Sequence, residues 1–212
     1  MAKVQLKGSV MMGPLPAVMA SVGTMENANV ITIAWTGVLC SNPPRVYISV
    51  RPERHSYQML MENKQFVINL AGKSLTPAVD YCGFKSGREV DKFAEMGFTK
   101  EPASVVKCPL IKESPINLEC QVFDIINLGS HDVFMADVVA VHVDESIMVD
   151  GKVDFAKANL INYQHGEYYA NGKHLGRFGF SIQRKYIKEN GKGVTAKIDN
   201  AKFTKRNSNK RK

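Results

Sequence analysis

The sequence predicts a mainly β fold, a barrel core with a few short helices. Three observations carry this. Apolar residues alternate with a period of two through successive segments. Helical spacing is confined to three short stretches. No linker or internal repeat divides the chain before about residue 182, so the strands must share one core.

Taken in order, Val30 to Thr36 places Ile31, Ile33 and Trp35 on one face and Thr32, Ala34 and Thr36 on the other. Arg45 to Arg51 points Val46, Ile48 and Val50 inward and Tyr47, Ser49 and Arg51 outward. Phe66 to Leu70 is a third strand. Ile116 to Ile125 sets Ile116, Leu118, Cys120 and Val122 against Asn117, Glu119 and Gln121. Phe134 to Val143 is apolar on both faces apart from Asp137 and His142, the pattern of a central strand. Ser56 to Glu62 carries Tyr57, Leu60 and Met61 at helical spacing. Thr76 followed by Pro77 reads as a helix cap and first position, with Gly83 to close the helix. Glu89 to Met96 sets Val90, Phe93 and Ala94 on one side and stops at Gly97.

The chain has 212 residues, 44% hydrophobic and 23% charged, ordinary for a globular protein able to bury its own core. Its longest apolar runs, such as Val138 to Val141, are too short to span a bilayer, and no secretory signal follows the N-terminal lysines. A cytoplasmic protein is the expectation. The net charge of +8 is unevenly placed. Residues 181–212 hold 11 Lys/Arg and 2 Asp/Glu, leaving 17 and 18 for the rest. The domain expected over residues 1–182 is therefore near neutral, and a loose basic extension is expected over 183–212. Such a tail can bind nucleic acid, but it has few aromatics and no nucleic-acid module, so a solvated end is the favoured reading.

Cys40, Cys82, Cys108 and Cys120 form no CxxC pair and no zinc spacing, and read as small packing residues. Cys82 stands near other candidate site residues. No HExxH, GxSxG, P-loop or GxGxxG pattern is present, so any nucleotide-like ligand is held another way. The small, partly polar face of Thr32, Ala34 and Thr36 suits a flat aromatic ligand; it equally suits solvent or a partner subunit. Ser49 and Arg51 share a face, and Arg54 and Ser56 follow just before a helix, a favourable arrangement for phosphate. The competing reading is surface charge with a helix cap. His131 in a turn and His165 before Gly166 are candidates near a ligand, and each also reads as an idle exposed histidine.

These residues fall into an ordered set. Thr32-Ile33-Ala34-Trp35, then Asn42-Pro43-Pro44, then Ile48 to Arg54 resemble the flavin reductase-like proteins with the FMN-binding split β-barrel, the flavoredoxin-type members in particular. Cys82-Gly83, Ser86 to Phe93, Glu113 to Pro115, Leu128 to His131, His165 to Ala170 and Leu175-Gly176 continue the likeness, from about residue 10 to about residue 182. Asn42 and His55 stand where relatives commonly carry Asp and Tyr.

The resemblance implies a Greek-key split barrel, a homodimer, and FMN near the dimer interface. It implies that Thr32, Ile33, Ala34, Trp35 and Thr36 lie along the isoalloxazine ring. Ser49, Val50, Arg51, Arg54 and Ser56 would serve the phosphate and ribityl chain, with Ser86 or Lys92 closing over the flavin. His131 matches a position beside the flavin, and His165 is a candidate to meet the nicotinamide or the partner subunit, with plain exposure as the other reading. Trp35 suits either packing or flavin contact. The activity implied is flavin reductase-type electron transfer with NAD(P)H as donor to a flavin or an electron-transfer protein. Two alternatives stand beside it: an electron carrier that does not oxidise NAD(P)H, and a non-enzymatic ligand- or nucleic-acid-binding barrel.

Overall fold

The computed structural model describes residues 1–182 and the backbone of two later strands, Lys185–Glu189 and Lys192–Ala196. Eight main elements precede the longest strands: β1 (Val18–Gly23), β2 (Ala28–Ile33), β3 (Thr36–Ser41), β4 (Pro44–Val50), α1 (His55–Asn63), β5 (Gln65–Leu70), α2 (Thr76–Phe84) and α3 (Lys92–Glu95). They are followed by β6 (Ile116–Asn127), β7 (Asp132–Val143), β8 (Ile161–Gln164) and β9 (Glu167–Ala170). Seven strands form one antiparallel sheet in the order β2-β1-β5-β6-β7-β4-β3. β8 and β9 form a hairpin that pairs with Leu15–Pro16.

The topology forces the sheet to curl. Its two edge strands, β2 and β3, are consecutive in sequence and joined only by Ala34 and Trp35. The edges are therefore held close together, and the Ser49 amide donating to the Trp35 carbonyl at 2.9 Å carries the β3–β4 ladder into the link between them. β4 sits beside β7, while β5 returns to the other end beside β1, with α1 carrying the chain across. This jump gives the Greek-key character of a split barrel.

The alternating residues fill the interior. Ile31, Ile33, Val46, Ile48 and Val50 join Phe66, Cys120 and Phe134 in one buried cluster, closed by Met59 and Leu60 of α1. The outer faces of β1 and β2 are covered by α2 and α3, where Met19 and Val30 meet Val79, Cys82 and Phe93. β1 is buried along its whole length because it has core on both sides.

Several expectations are revised. The strand expected over 30–36 ends at Ile33; the bend at Ala34–Trp35 turns Trp35 away from the Ile31 face and leaves it 41% exposed. Thr36 starts the next strand instead. Thr76 lies inside α2, its hydroxyl donating to the Lys73 carbonyl, because a 3₁₀ turn (Lys73–Leu75) leads directly into the helix. α2 runs past Gly83 to Phe84. The helix expected from Glu89 begins only at Lys92, where the Asp91 carboxylate caps the Phe93 and Ala94 amides; it stops before Gly97, which has φ +64°. β7 is central only as far as Asp137, its last residue paired with β4, opposite Arg45; beyond that Val139 and Val141 are exposed. Cys40 is exposed on edge strand β3, whereas the other three cysteines are buried.

Contacts separate a compact unit Met1–Asn171 from a second unit, Gly172–Lys212. In the second, a short turn (Phe180–Ile182) is followed by an antiparallel pair, β10 (Lys185–Glu189) and β11 (Lys192–Ala196). Apart from these two strands, the basic extension expected over 183–212 lies outside the described residues.

Candidate functional site

Two neighbouring hollows share part of their walls. The larger, about 360 Å³, is walled by residues 31–35 of β2 and the following bend, Ser49 and Val50 of β4, Arg51 just after it, and Arg54, Asp80, Gly83, Phe84, His131, Tyr163 and Tyr168. The smaller, about 170 Å³, is walled by Asn29, residues 53–56, Cys82, residues 85–88 and Lys92. Ile31, Arg54 and Gly83 border both.

Local chemistry explains the wall. Gly83 lets α2 lie against β2: a Cβ there would sit 3.3 Å from Thr32 Cβ. The Thr32 hydroxyl donates to the Val79 carbonyl and fixes the same contact. Gly87 presses its backbone onto Asn29 and His55, where a Cβ would lie 2.4 Å from Asn29 Oδ1. Arg88 Nη1 donates to the Glu53 carbonyl at 3.1 Å, tying the 85–91 segment to the turn before α1. Asn29 in turn donates to the buried Ser56 hydroxyl at 2.8 Å.

The smaller hollow is positive. Arg54, Lys85, Arg88 and Lys92 border it, with Glu53 the single carboxylate in its wall. The α1 N-terminus joins them. Its cap residue Arg54 makes no side-chain capping bond and its first turn has no acidic residue, so the helix's partial positive charge is not neutralised there. Lys92 is 4% exposed and donates to the carbonyls of Val30 (2.8 Å) and Cys82 (2.7 Å). That leaves one of its three protons without a recorded partner among the described residues. Burial lowers its pKa, and nearby Arg54 adds to this against the opposing effect of Cys82. Burial, then Arg88 and Lys92, push His55 down; burial, then Arg51 and Arg54 against Glu53, do the same to His131. Burial holds the Cys82 thiol up at about 11, which leaves it protonated and unreactive.

The structure brings Thr32, Ile33, Ala34, Trp35, Ser49, Val50, Arg51, Arg54 and His131 together around the larger hollow, and Arg54, Ser56, Ser86 and Lys92 around the smaller. Trp35 and His131 pack ring to ring, centroids 4.4 Å apart. Thr36 and His165 border neither hollow. The Thr36 hydroxyl is turned to the Tyr47 carbonyl, and His165 sits exposed in the β8–β9 turn with φ +46°. Asp80, Phe84, Tyr163 and Asn29 border the site without having been singled out in the sequence. The spacing of Asp80, Gly83 and Phe84, on one side of a helix, was the available signal for part of this set.

A curled antiparallel sheet with an aromatic-walled hollow that shares part of its wall with a cationic one defines a split barrel. The flavin reductase like domain model matches residues 12–171, and the chain belongs to that family. It is similar to the flavoredoxin of Desulfovibrio vulgaris (Miyazaki F), 30% identical, covering 85% of this chain and 98% of that one with a TM-score of 0.79. The flavoredoxin from Methanosarcina acetivorans is 25% identical over 85% of this chain and 99% of its own, also at 0.79. A protein of uncharacterized function from Pyrococcus abyssi is 30% identical over 147 residues, 69% of this chain and 84% of that protein. Among the described residues no helix is long and apolar enough to cross a membrane.

Proposed function

We propose that this chain binds FMN and works as a flavin reductase-type oxidoreductase, taking electrons from NAD(P)H and passing them to a flavin or an electron-transfer protein. The observation that carries the reading is the pairing of a ring-sized hollow with a cationic one through the shared border of Ile31, Arg54 and Gly83. The donor set fits the group. Arg54, Arg88, Lys92, the Ser56 and Ser86 hydroxyls and the α1 N-terminus suit a phosphate. The small Ala34 and the backbone of residues 32–35 leave room for a flat ring. When bound, FMN supplies two-electron chemistry that side chains lack.

In this reading the protein's residues bind and orient. Arg51 and Arg54 supply positive charge beside the ring hollow, where negative charge on a reduced ring would be favoured. The Trp35–His131 pair forms one wall, and burial, which lowers the His131 pKa, favours the neutral ring there. The exposed apolar residues Val38, Leu39, Phe123, Ile126 and Val141 on β3, β6 and β7 support a homodimer. Size-exclusion chromatography with light scattering checks it: a monomer mass rules the dimer out.

The visible spectrum of the purified protein after FMN addition is the primary test. A colourless protein that takes up no FMN ends the proposal. Anaerobic addition of NADH or NADPH then divides two readings. Rapid bleaching supports the reductase. The 30% identity to a flavoredoxin favours, as a second reading, an electron carrier, which bleaches only with a reduced partner protein.

A further inference from the structure

Asp132 is a buried carboxylate that the proposed chemistry leaves without a role. It is 5% exposed and forms no ion pair among the described residues. Its side-chain partners are both neutral. The Tyr57 hydroxyl donates to Oδ2 at 2.5 Å, and Asn127 Nδ2 donates to Oδ1 at 2.6 Å. Holding an anion out of water on neutral donors is costly, and a well-packed apolar side chain commonly serves stability as well. What the carboxylate adds is a fixed geometry for its two donors.

Those donors come from opposite ends of the site. Tyr57 lies in the first turn of α1, its amide bonded to the Arg54 carbonyl, and its ring packs edge-on to Phe134 with centroids 5.7 Å apart. The hydrogen bond to Asp132, then burial and the Asp132 charge, raise the Tyr57 pKa, so the phenol stays a donor. Asn127 ends β6. Its Oδ1 accepts from the Gly129 amide at 3.2 Å, which leaves Nδ2 to face Asp132. The Leu128 amide donates to the His131 carbonyl at 2.9 Å and closes the turn. His131 stacks on Trp35, and Asp132 follows it as the first residue of β7, opposite Val50 on β4 and Asn127 on β6. One carboxylate therefore ties the helix start beside the cationic hollow to the turn that carries the aromatic wall of the larger one.

We propose that Asp132 is a positioning residue. Through Asn127 it sets the His131 turn against Trp35, and through Tyr57 it locks that turn to the start of α1. Its consequence for ligand binding rests on the FMN reading; the packing of His131 on Trp35 does not.

Trp35 is the single tryptophan, so the intrinsic fluorescence of the flavin-free full chain reports on this pair. A protonated imidazole in contact with an indole quenches it. Wild type is expected to show a fluorescence step as His131 titrates, absent in His131→Gln. Asp132→Asn keeps the shape and removes the charge, and is expected to lose most of that step. Asn127→Ala, at an exposed position, is expected to do the same and serves if Asp132→Asn does not fold. Tyr57→Phe is expected to change the step in the wild-type background and to leave it unaltered in Asp132→Asn, the signature of a shared partner. No step in wild type, a full-sized step in folded Asp132→Asn or in Asn127→Ala, or an equal Tyr57→Phe effect in both backgrounds overturns the proposal. FMN titration of the same proteins is the separate arm. Binding about tenfold weaker in Asp132→Asn is expected, and unchanged affinity overturns the link to the ligand. Absence of uptake by wild type overturns the flavin reading and leaves the fluorescence result standing.

Discussion

Glu119 on β6 and Lys92 at the start of α3 are both charged side chains taken out of water, with 0% and 4% exposure. Their surroundings differ. Glu119 accepts from the amides of Ser104, Val105 and Val106, from the Ser104 hydroxyl and from His142 Nε2, all within 2.9 Å. Its acceptor capacity is used up. Lys92 meets two carbonyls and no carboxylate. A buried charge with every bond made is a peg that pins a loop, here residues 104–106. A buried charge with capacity to spare, on the wall of a hollow, is what the proposed function would use to hold a ligand of opposite sign. The two are opposite uses of the same desolvation.

The largest expected effect is on the peg. Glu119→Ala leaves five protein donors without their acceptor and should lower unfolding free energy by about 3–5 kcal/mol, read from urea denaturation. A loss under about 1 kcal/mol would mean that the 104–106 loop is held by something else. Acid sharpens the same point. Burial pushes the Glu119 pKa up, but the Ser104 hydroxyl, His142 and the Val106 and Ser104 amides outweigh it and hold it at about 2, against an ordinary 4.5. A depressed carboxylate stabilises the fold above the unfolded value. That contribution should be lost as pH falls from about 4.5 towards 2, and Glu119→Gln should lack this part of the acid dependence in parallel melts.

Lys92→Met probes the other charge. FMN affinity should fall about tenfold to a hundredfold, the effect of losing a charge-assisted bond. Its urea midpoint should move less than that of Glu119→Ala. The reverse order, with stability lost and affinity kept, would make Lys92 a second peg. The smallest effect belongs to a half-exposed pair. Arg45 meets Asp137 at 2.7 Å with side chains 35% and 37% exposed, and Arg45→Ala should cost about 0–1 kcal/mol in the same denaturation experiment.

Much of the barrel was legible because period-two alternation is a local signal. Val46, Ile48, Val50 and Cys120 are in the core where that pattern puts them. Glu119 shows the limit. In sequence it is a polar residue on an outward face, yet a loop 13 to 15 positions away folds over it. Trp35 shows a second limit, since alternation assumes a straight strand and the chain bends at Ala34–Trp35. The larger hollow was partly legible, through residues 32–35 and 49–54, which are close in sequence. Asp80, Tyr163 and Tyr168 come to it from α2 and the β8–β9 hairpin, and only tertiary packing brings these segments together. The cap at Asp91 could have corrected the start of α3, because an Asp two residues before a buried Phe is a readable stop-start signal.

The bond from Ser49 to Trp35 ends the β3–β4 ladder at the link between the two rims of the sheet, and both residues also wall the larger hollow. Architecture and occupancy thus share a hinge-pin. A guest seated there would touch the end of that ladder, so its departure and the fraying of the ladder would be linked events. The grip on the ligand is, in the same measure, the grip of the protein on its own shape.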